Sequence, residues 1–381
     1  MIKRVFPVLA LAIFSSMLGA GIVVPLLPLY AESMGATGLS LGFIFAGFSI
    51  SRTIFTPVFG RLSDRKGRRF ILVIGLFAYA LISFTYVLAD NVYHLVLIRL
   101  VHGVTGAMIL PIAQAYIGDL SPEGEEGKWM GYSNSAFFGG FGFGPLLGGV
   151  LATQWGMDLA FITMGVLNLL AFVIAVIMLP RSDVRKMAAA PPLSFLDMRR
   201  SGNMAGLLSF RLAIALGRSS FFTFLPLFVA MGLGLPENLI GILISVHVLL
   251  TSLLGIPGGK VADIFNRRAL VIIGCLVIFA YLLLIPFSPG FWSLLALCVL
   301  GSIGSAIATP AVLALTVEEG RKYGMGSAIA AITMALSIGM ALGPILSGAL
   351  VDMTDINAAF YFSAGLSLVG GVLFVFFTRS H

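Results

Sequence analysis

The stretch GRLSDRKGRR occupies residues 60–69, and GKVADIFNRR occupies residues 259–268. The two share a glycine, an aspartate and an arginine pair in register, with Asp64 and Asp263 separated by 199 residues. The same displacement carries Pro111 onto Pro310, Asp119 onto Glu318, and the Gly144-Pro145 pair onto Gly343-Pro344. A constant offset over that much chain means two halves of like topology.

Composition sets the medium in which those halves fold. Of the 381 residues 59% are hydrophobic and only 10% charged, and the mean hydropathy is +1.05. A globular chain in water does not carry that balance. Apolar stretches of spanning length recur at roughly 5–31, 38–60, 70–89, 93–117, 129–153, 157–180, 204–231, 238–258, 268–288, 291–316, 324–350 and 356–378. The first has the basic start of a signal peptide, but its apolar run continues through Pro25 and Pro28 to Tyr30, too long for a cleaved segment. The expected fold is an all-α membrane protein of twelve transmembrane helices. They form two six-helix halves, 1–180 and 204–381, related by a pseudo-two-fold axis and joined by a basic, Pro-containing linker at 181–203. In folds of this kind the substrate is bound near the midplane between the halves.

Orientation follows from where the basic residues fall, because Lys and Arg of short loops are retained in the cytoplasm. Nineteen of the 23 lie before the first span, after the even-numbered spans, or at the end of the chain, all on one side of twelve spans. Both termini are therefore expected in the cytoplasm, and a bacterial inner membrane suits the short loops. The net charge of +7 is topogenic and needs no nucleic acid to explain it. Cys275 and Cys298 fall inside spans and read as buried thiols. With no Walker loop, metal-ligand spacing or nucleophile triad in the sequence, neither an enzyme nor a cofactor or metal is expected. A proton gradient is the expected energy source, and the fold would work as a monomer in lipid.

GRLSDRKGRR resembles motif A of the major facilitator superfamily, and RLVHGVTGA at 99–107 resembles its motif B. GYSNSAFFGGFGFGPLLGG at 131–149 is similar to motif C of the drug:proton antiporters of that family, with Gly131, Gly140, Gly144, Pro145, Gly148 and Gly149 in place. The resemblance covers nearly the whole chain. It implies export by proton antiport and alternating access. It also implies that motif A is a latch closing the cytoplasmic side in the outward-facing state, with Arg68 and Asp119 as cross-partners.

The same residues have a physical reading of their own. Gly60 and Gly67 suit a tight reversal at a span end. Asp64 sits among Arg61, Arg65, Lys66, Arg68 and Arg69 and can accept charge-assisted hydrogen bonds, and Asp263 with Arg267 repeats the arrangement. Gly140, Gly144 and Gly148 lie four residues apart and form a smooth ridge for another helix, while Pro145 removes one helical hydrogen bond and invites a bend.

Four basic residues, Arg52, Arg99, Arg211 and Arg218, lie within spans. Arg211 and Arg218 are seven residues apart and leave the same helix face, with Arg218 about 21 Å along its span at 1.5 Å per residue. Each such arginine costs at least ~2.5–3.5 kcal/mol to insert, so they should face water, a partner or a substrate. All sixteen acidic residues fall at span ends or in loops. Many cation-exporting relatives carry an acid in span 1, where this chain reads SSMLGAGIVVPLLPLY. A cavity lined by these arginines, with Phe222, Met108 and Phe137 as soft walls, should favour anionic, zwitterionic or neutral amphiphiles.

Proton exchange needs a group that changes charge, which arginine does not. The candidates are Asp64, Asp119, Glu32, His102 and His247. Arg99, one turn from His102, opposes a positive charge there unless an anion intervenes. Three readings therefore stand: a proton-driven exporter of small amphipathic drugs or metabolites, an organic-anion or lipid-like-anion carrier, and a binding or sensor protein that kept the fold without transport.

Overall fold

The computed structural model describes residues 2–122, 125–180, 201–323 and 325–378, and among them there is no strand. Helices α1 (Ile2–Ser33), α2 (Gly38–Lys66), α3 (Arg68–Phe84), α4 (Val92–Gly106), α5 (Leu110–Leu120), α6 (Glu126–Trp155) and α7 (Met157–Met178) make the first six spans, α4 and α5 sharing one. Helices α8 (Gly202–Leu227), α9 (Glu237–Ile264), α10 (Arg267–Leu284), α11 (Phe291–Tyr323), α12 (Met325–Met353) and α13 (Asn357–Thr378) make the other six. All twelve are long and apolar enough to cross a membrane. The linker residues 181–200 lie outside the described residues.

Local sequence explains where several helices start. Asn91 caps α4 by accepting from His94 N, Ser201 caps α8 through Met204 N, and Asn266 caps α10 through Arg268 N and Ala269 N. Pro111 cannot donate to its own helix, and the fourth span breaks just before it, between α4 and α5. Its repeat partner Pro310 lies inside an unbroken α11, and Pro145 likewise lies inside an unbroken α6.

Motif A differs from the expected loop. Helix α2 continues to Lys66, so Gly60, Asp64 and Arg65 ride on its last turns. Gly60 takes no part in the reversal, and a side chain there would meet open space. Gly67 alone turns the chain, at φ 94°, a backbone conformation that L side chains rarely adopt. The extension has a physical cause: Arg65 and Lys66 in the last turn complement the helix dipole, and Asp64 pairs with Arg68 across the turn.

The residues form two compact units. One comprises Met1–Ala36, Gly47–Ala189 and Pro236–Ser245, the other Thr37–Ala46, Ala190–Leu235 and Val246–His381. Relative to a division at 181–203, two helix ends change membership. The start of α2 packs with α12, where Asp352 accepts from Gly38 N at 2.6 Å and Leu39 N at 2.8 Å. The start of α9 packs with α6, where Thr153 Oγ1 accepts from Asn238 N at 3.0 Å.

Within each unit one helix is central, α1 in the first and α8 in the second, and most of its residues are buried. The motif C ridge meets α1: a side chain on Gly144 would sit 2.4 Å from Leu18 O and 2.7 Å from Gly21 Cα, and one on Gly140 2.4 Å from Phe14 O. The repeat makes the same joint again, where a side chain on Gly343 would run into Leu216 O. Helix α6 is thus held to α1 by direct backbone approach, as α12 is to α8.

Candidate functional site

The two arginine pairs of the repeated motif divide their work in the same way. Arg68 Nε donates to Asp119 Oδ2 at 3.0 Å, its Nη1 lies 2.5 Å from Asp64 Oδ1, and the same nitrogen reaches Ser63 Oγ at 2.6 Å. Arg267 pairs with Glu318 and stands 3.7 Å from Asp263. The second arginine of each pair turns instead to a helix end: Arg69 donates to Val176 O at 2.6 Å and Arg268 to Thr378 O at 2.9 Å. A cation on the last carbonyls of α7 and α13 satisfies groups that the helix cannot and favours their dipoles. The carbonyl partners could not be read from the sequence, whereas the repeat does align Asp119 with Glu318.

Three of the four intramembrane arginines, Arg52, Arg99 and Arg218, meet an aromatic face. In the first unit the guanidinium of Arg99 lies 4.4 Å from the Phe48 ring centre, and that of Arg52 lies 6.0 Å from it. Arg99 is buried and also hydrogen-bonds Tyr86, whose hydroxyl stands 2.8 Å from His102 Nδ1. His102 is fully buried, its ring centre 4.1 Å from that of Tyr79, and its Nε2 has no hydrogen-bond partner among the described residues. Where the Tyr86 phenol donates to Nδ1, the proton of the neutral ring lies on Nε2.

The second unit holds a related arrangement. Arg218 is exposed at the middle of α8, although its neighbours Gly217, Ser219 and Ser220 are buried. Its guanidinium lies 5.6 Å from the Phe222 ring centre. Phe221 and Phe222 both pack on buried His247, whose Nδ1 faces Cys298 O at 3.1 Å and Ser302 Oγ at 3.2 Å. Arg211 is half-buried, with Nε unpartnered among the described residues. Phe48 and His247 are 199 residues apart, so the aromatic of one unit and the histidine of the other hold the same repeat position. That correspondence was the available signal for Phe48; Tyr79 and Tyr86 carried none.

The remaining candidates are dispersed. Met108 is buried in the core with Leu72 and Ile109, and its backbone covers Gly75. Phe137 packs between Phe138 and Phe141 on α6. Glu32 is exposed at the end of α1, Arg65 is exposed on α2, and the side chain of Asp263 is largely exposed. Gly131 faces open space, and Gly149 approaches Glu237 O. Among the described residues Arg218 forms no salt bridge.

The family model described as Major Facilitator Superfamily matches residues 9–236 and 207–381. The chain is 30% identical over 380 residues to an uncharacterized MFS-type transporter of Methanocaldococcus jannaschii, covering 97% of each chain. It is 28% identical over 384 residues to the quinolone resistance protein NorA of Staphylococcus aureus, covering 100% of this chain and 97% of that one. Its fold is similar to that of a bacterial homolog of the human lysosomal transporter Spinster, in an inward-facing and occupied conformation. There the TM-score is 0.83 at 14% identity, over 100% of this chain and 97% of the other.

Proposed function

Because this chain belongs to the Major Facilitator Superfamily, whose relatives described above are membrane transporters, we propose that it is a secondary transporter that exports small amphipathic molecules, drugs or metabolites, by proton antiport and alternating access. The observation that carries the substrate class is the pairing of permanent cations with aromatic faces, Arg99 on Phe48 and Arg218 on Phe222, with all sixteen acidic residues of the sequence at span ends or in loops. Such a surface attracts flat anionic, zwitterionic or neutral amphiphiles and repels quaternary ammonium ions. The likeness to a quinolone resistance protein supports this reading, since a quinolone is a flat aromatic bearing a carboxylate. We place the chain in a bacterial inner membrane as a monomer with both termini cytoplasmic, on the strength of the one-sided distribution of Lys and Arg.

One observation favours the second reading, a proton-coupled organic-anion carrier. Arg99 and His102 share Tyr86. An anion that takes Arg99 would offset the charge opposing a proton on His102, so proton and anion would travel together. Purified protein in liposomes with an imposed pH gradient distinguishes the readings. Accumulation of an anionic fluorescent amphiphile against the direction of proton flow supports antiport, and movement with the proton supports the carrier. Transport of a cationic amphiphile, kept in Arg218→Ala, would exclude the arginines as the substrate site.

A further inference from the structure

At the start of α3 a groove of about 500 Å³ opens between the end of α2, the first turns of α3 and the end of α7. Lys66 and Arg69 stand at its polar end, and Phe70, Val73, Ile74 and Val176 form its wall. Arg69 is tethered by one nitrogen to Val176 O, while its Nε is buried and has no hydrogen-bond partner among the described residues. A buried donor on a permanent cation needs an acceptor, and the described residues supply none. Gly67, also in the lining, gives α3 no side-chain cap, and the positive end of this 17-residue helix's dipole lies at the same place. The apolar wall continues outward, with Phe70 50% and Ile74 40% exposed.

The cavity at the repeat-related position shows what is special here. Arg268 stands where the repeat places Arg69, but that cavity also holds Glu318 and buried Glu319, which accepts from Lys322, Ser201 and Asn203. Its cations are answered from within the chain. Among the described residues no carboxylate lines the groove at Arg69.

We propose that this groove is a binding site for one anionic phospholipid. The phosphate is held by the Lys66 ammonium and the Arg69 guanidinium beside the positive end of the α3 dipole, and an acyl chain lies along Phe70 and Ile74. Charge complementarity at a membrane-embedded apolar wall selects a lipid over a soluble anion, because only the lipid fills both ends of the groove.

The test is retention of lipid by purified full-length protein in native mass spectrometry, after reconstitution in equal phosphatidylglycerol and phosphatidylethanolamine. Wild type should keep one phosphatidylglycerol in preference to phosphatidylethanolamine. Lys66→Ala should lower that retention about fivefold, the effect of ~1 kcal/mol per basic residue near an anionic leaflet, and Arg69→Gln at least as much. Lys66→Glu, on an exposed side chain that leaves the Val176 tether intact, keeps the test open if Arg69→Gln fails to fold, and should abolish the preference. Equal retention of the two lipids, or undiminished phosphatidylglycerol in both Lys66 variants, overturns the proposal. So does displacement of the lipid by millimolar inorganic phosphate, which would make the groove a site for a free anion.

Discussion

Arg68 Nε stands 3.0 Å from Asp119 Oδ2 and so ties the first turn of α3 to the last turn of α5. The repeat-related pair, Arg267 with Glu318, joins α10 to α11 in the same way but in a wetter place. The side chains of Arg68 and Asp119 are 10% and 29% exposed, those of Arg267 and Glu318 29% and 48%. Exposed pairs contribute up to ~1 kcal/mol, and a hydrogen bond to a charged partner in a drier place ~1.5–3 kcal/mol. Asp119→Asn is therefore expected to lower thermal stability in detergent more than Glu318→Gln does. Equal shifts in the two variants would show that burial does not set the strength of the first bridge.

The glycine ridge gives a sharper contrast. An added methyl at Gly144 would lie 2.4 Å from a backbone oxygen of α1, where neither partner is a flexible side chain. Gly144→Ala must push α6 from α1 and is expected to cost ~1–3 kcal/mol, seen as a lowered unfolding temperature and poor expression. Gly131→Ala, with nothing within 4 Å, should leave both unchanged. Comparable losses in the two variants would contradict the packing account.

The legibility of the chain follows from the range of the physics involved. Spans are local, set by some twenty consecutive apolar residues, so their number and rough limits can be read along the chain itself. The resemblance to motif A supplies the pairing of Arg68 with Asp119, and the repeat, which aligns Asp119 with Glu318, carries the structure's second pair, Arg267 with Glu318. The sequence misleads where one signal has two physical uses. Gly60 and Gly67 look alike in the motif, yet one sits in a continuing helix and the other turns the chain. Met108 reads as a soft wall, but the break before Pro111 places its backbone on Gly75. The boxes around His102 and His247 draw on three helices or more in each unit, and aromatics as frequent as 31 Phe give no hint of which ones meet.

Arg99 and Arg218 should respond differently to substitution. Arg99 is buried and held by Phe48 and Tyr86, while Arg218 is exposed and touches an aromatic face on one side. Arg218→Ala is expected to raise KM for an anionic amphiphile about tenfold, equivalent to ~1.4 kcal/mol of binding, with stability nearly unchanged. Phe222→Leu should raise it less, in line with the ~0.5–2 kcal/mol of a cation on a ring. Arg99→Ala should lower the unfolding temperature as well as activity. Kinetics in proteoliposomes beside thermal unfolding of the same preparations decide this, and a stability loss in Arg218→Ala equal to that in Arg99→Ala would make both arginines structural.

His102 and Tyr86 provide the last test, because their 2.8 Å contact makes a proton on the ring and the hydrogen of the phenol compete for one line of approach. If the histidine takes the transported proton at Nδ1, the phenol must turn from donor to acceptor, and its oxygen then faces both His102 and Arg99. His102→Gln is accordingly expected to abolish accumulation driven by an imposed pH gradient while leaving substrate exchange at equal pH. Tyr86→Phe keeps the titrating ring but removes its partner, and should retain the drive at a rate lowered about tenfold, the lower end of what a positioned acid-base partner contributes. Undiminished pH-driven transport in His102→Gln would take the coupling away from this cluster and shift it to buried His247, where Cys298 O and Ser302 Oγ meet the ring nitrogen in place of a phenol.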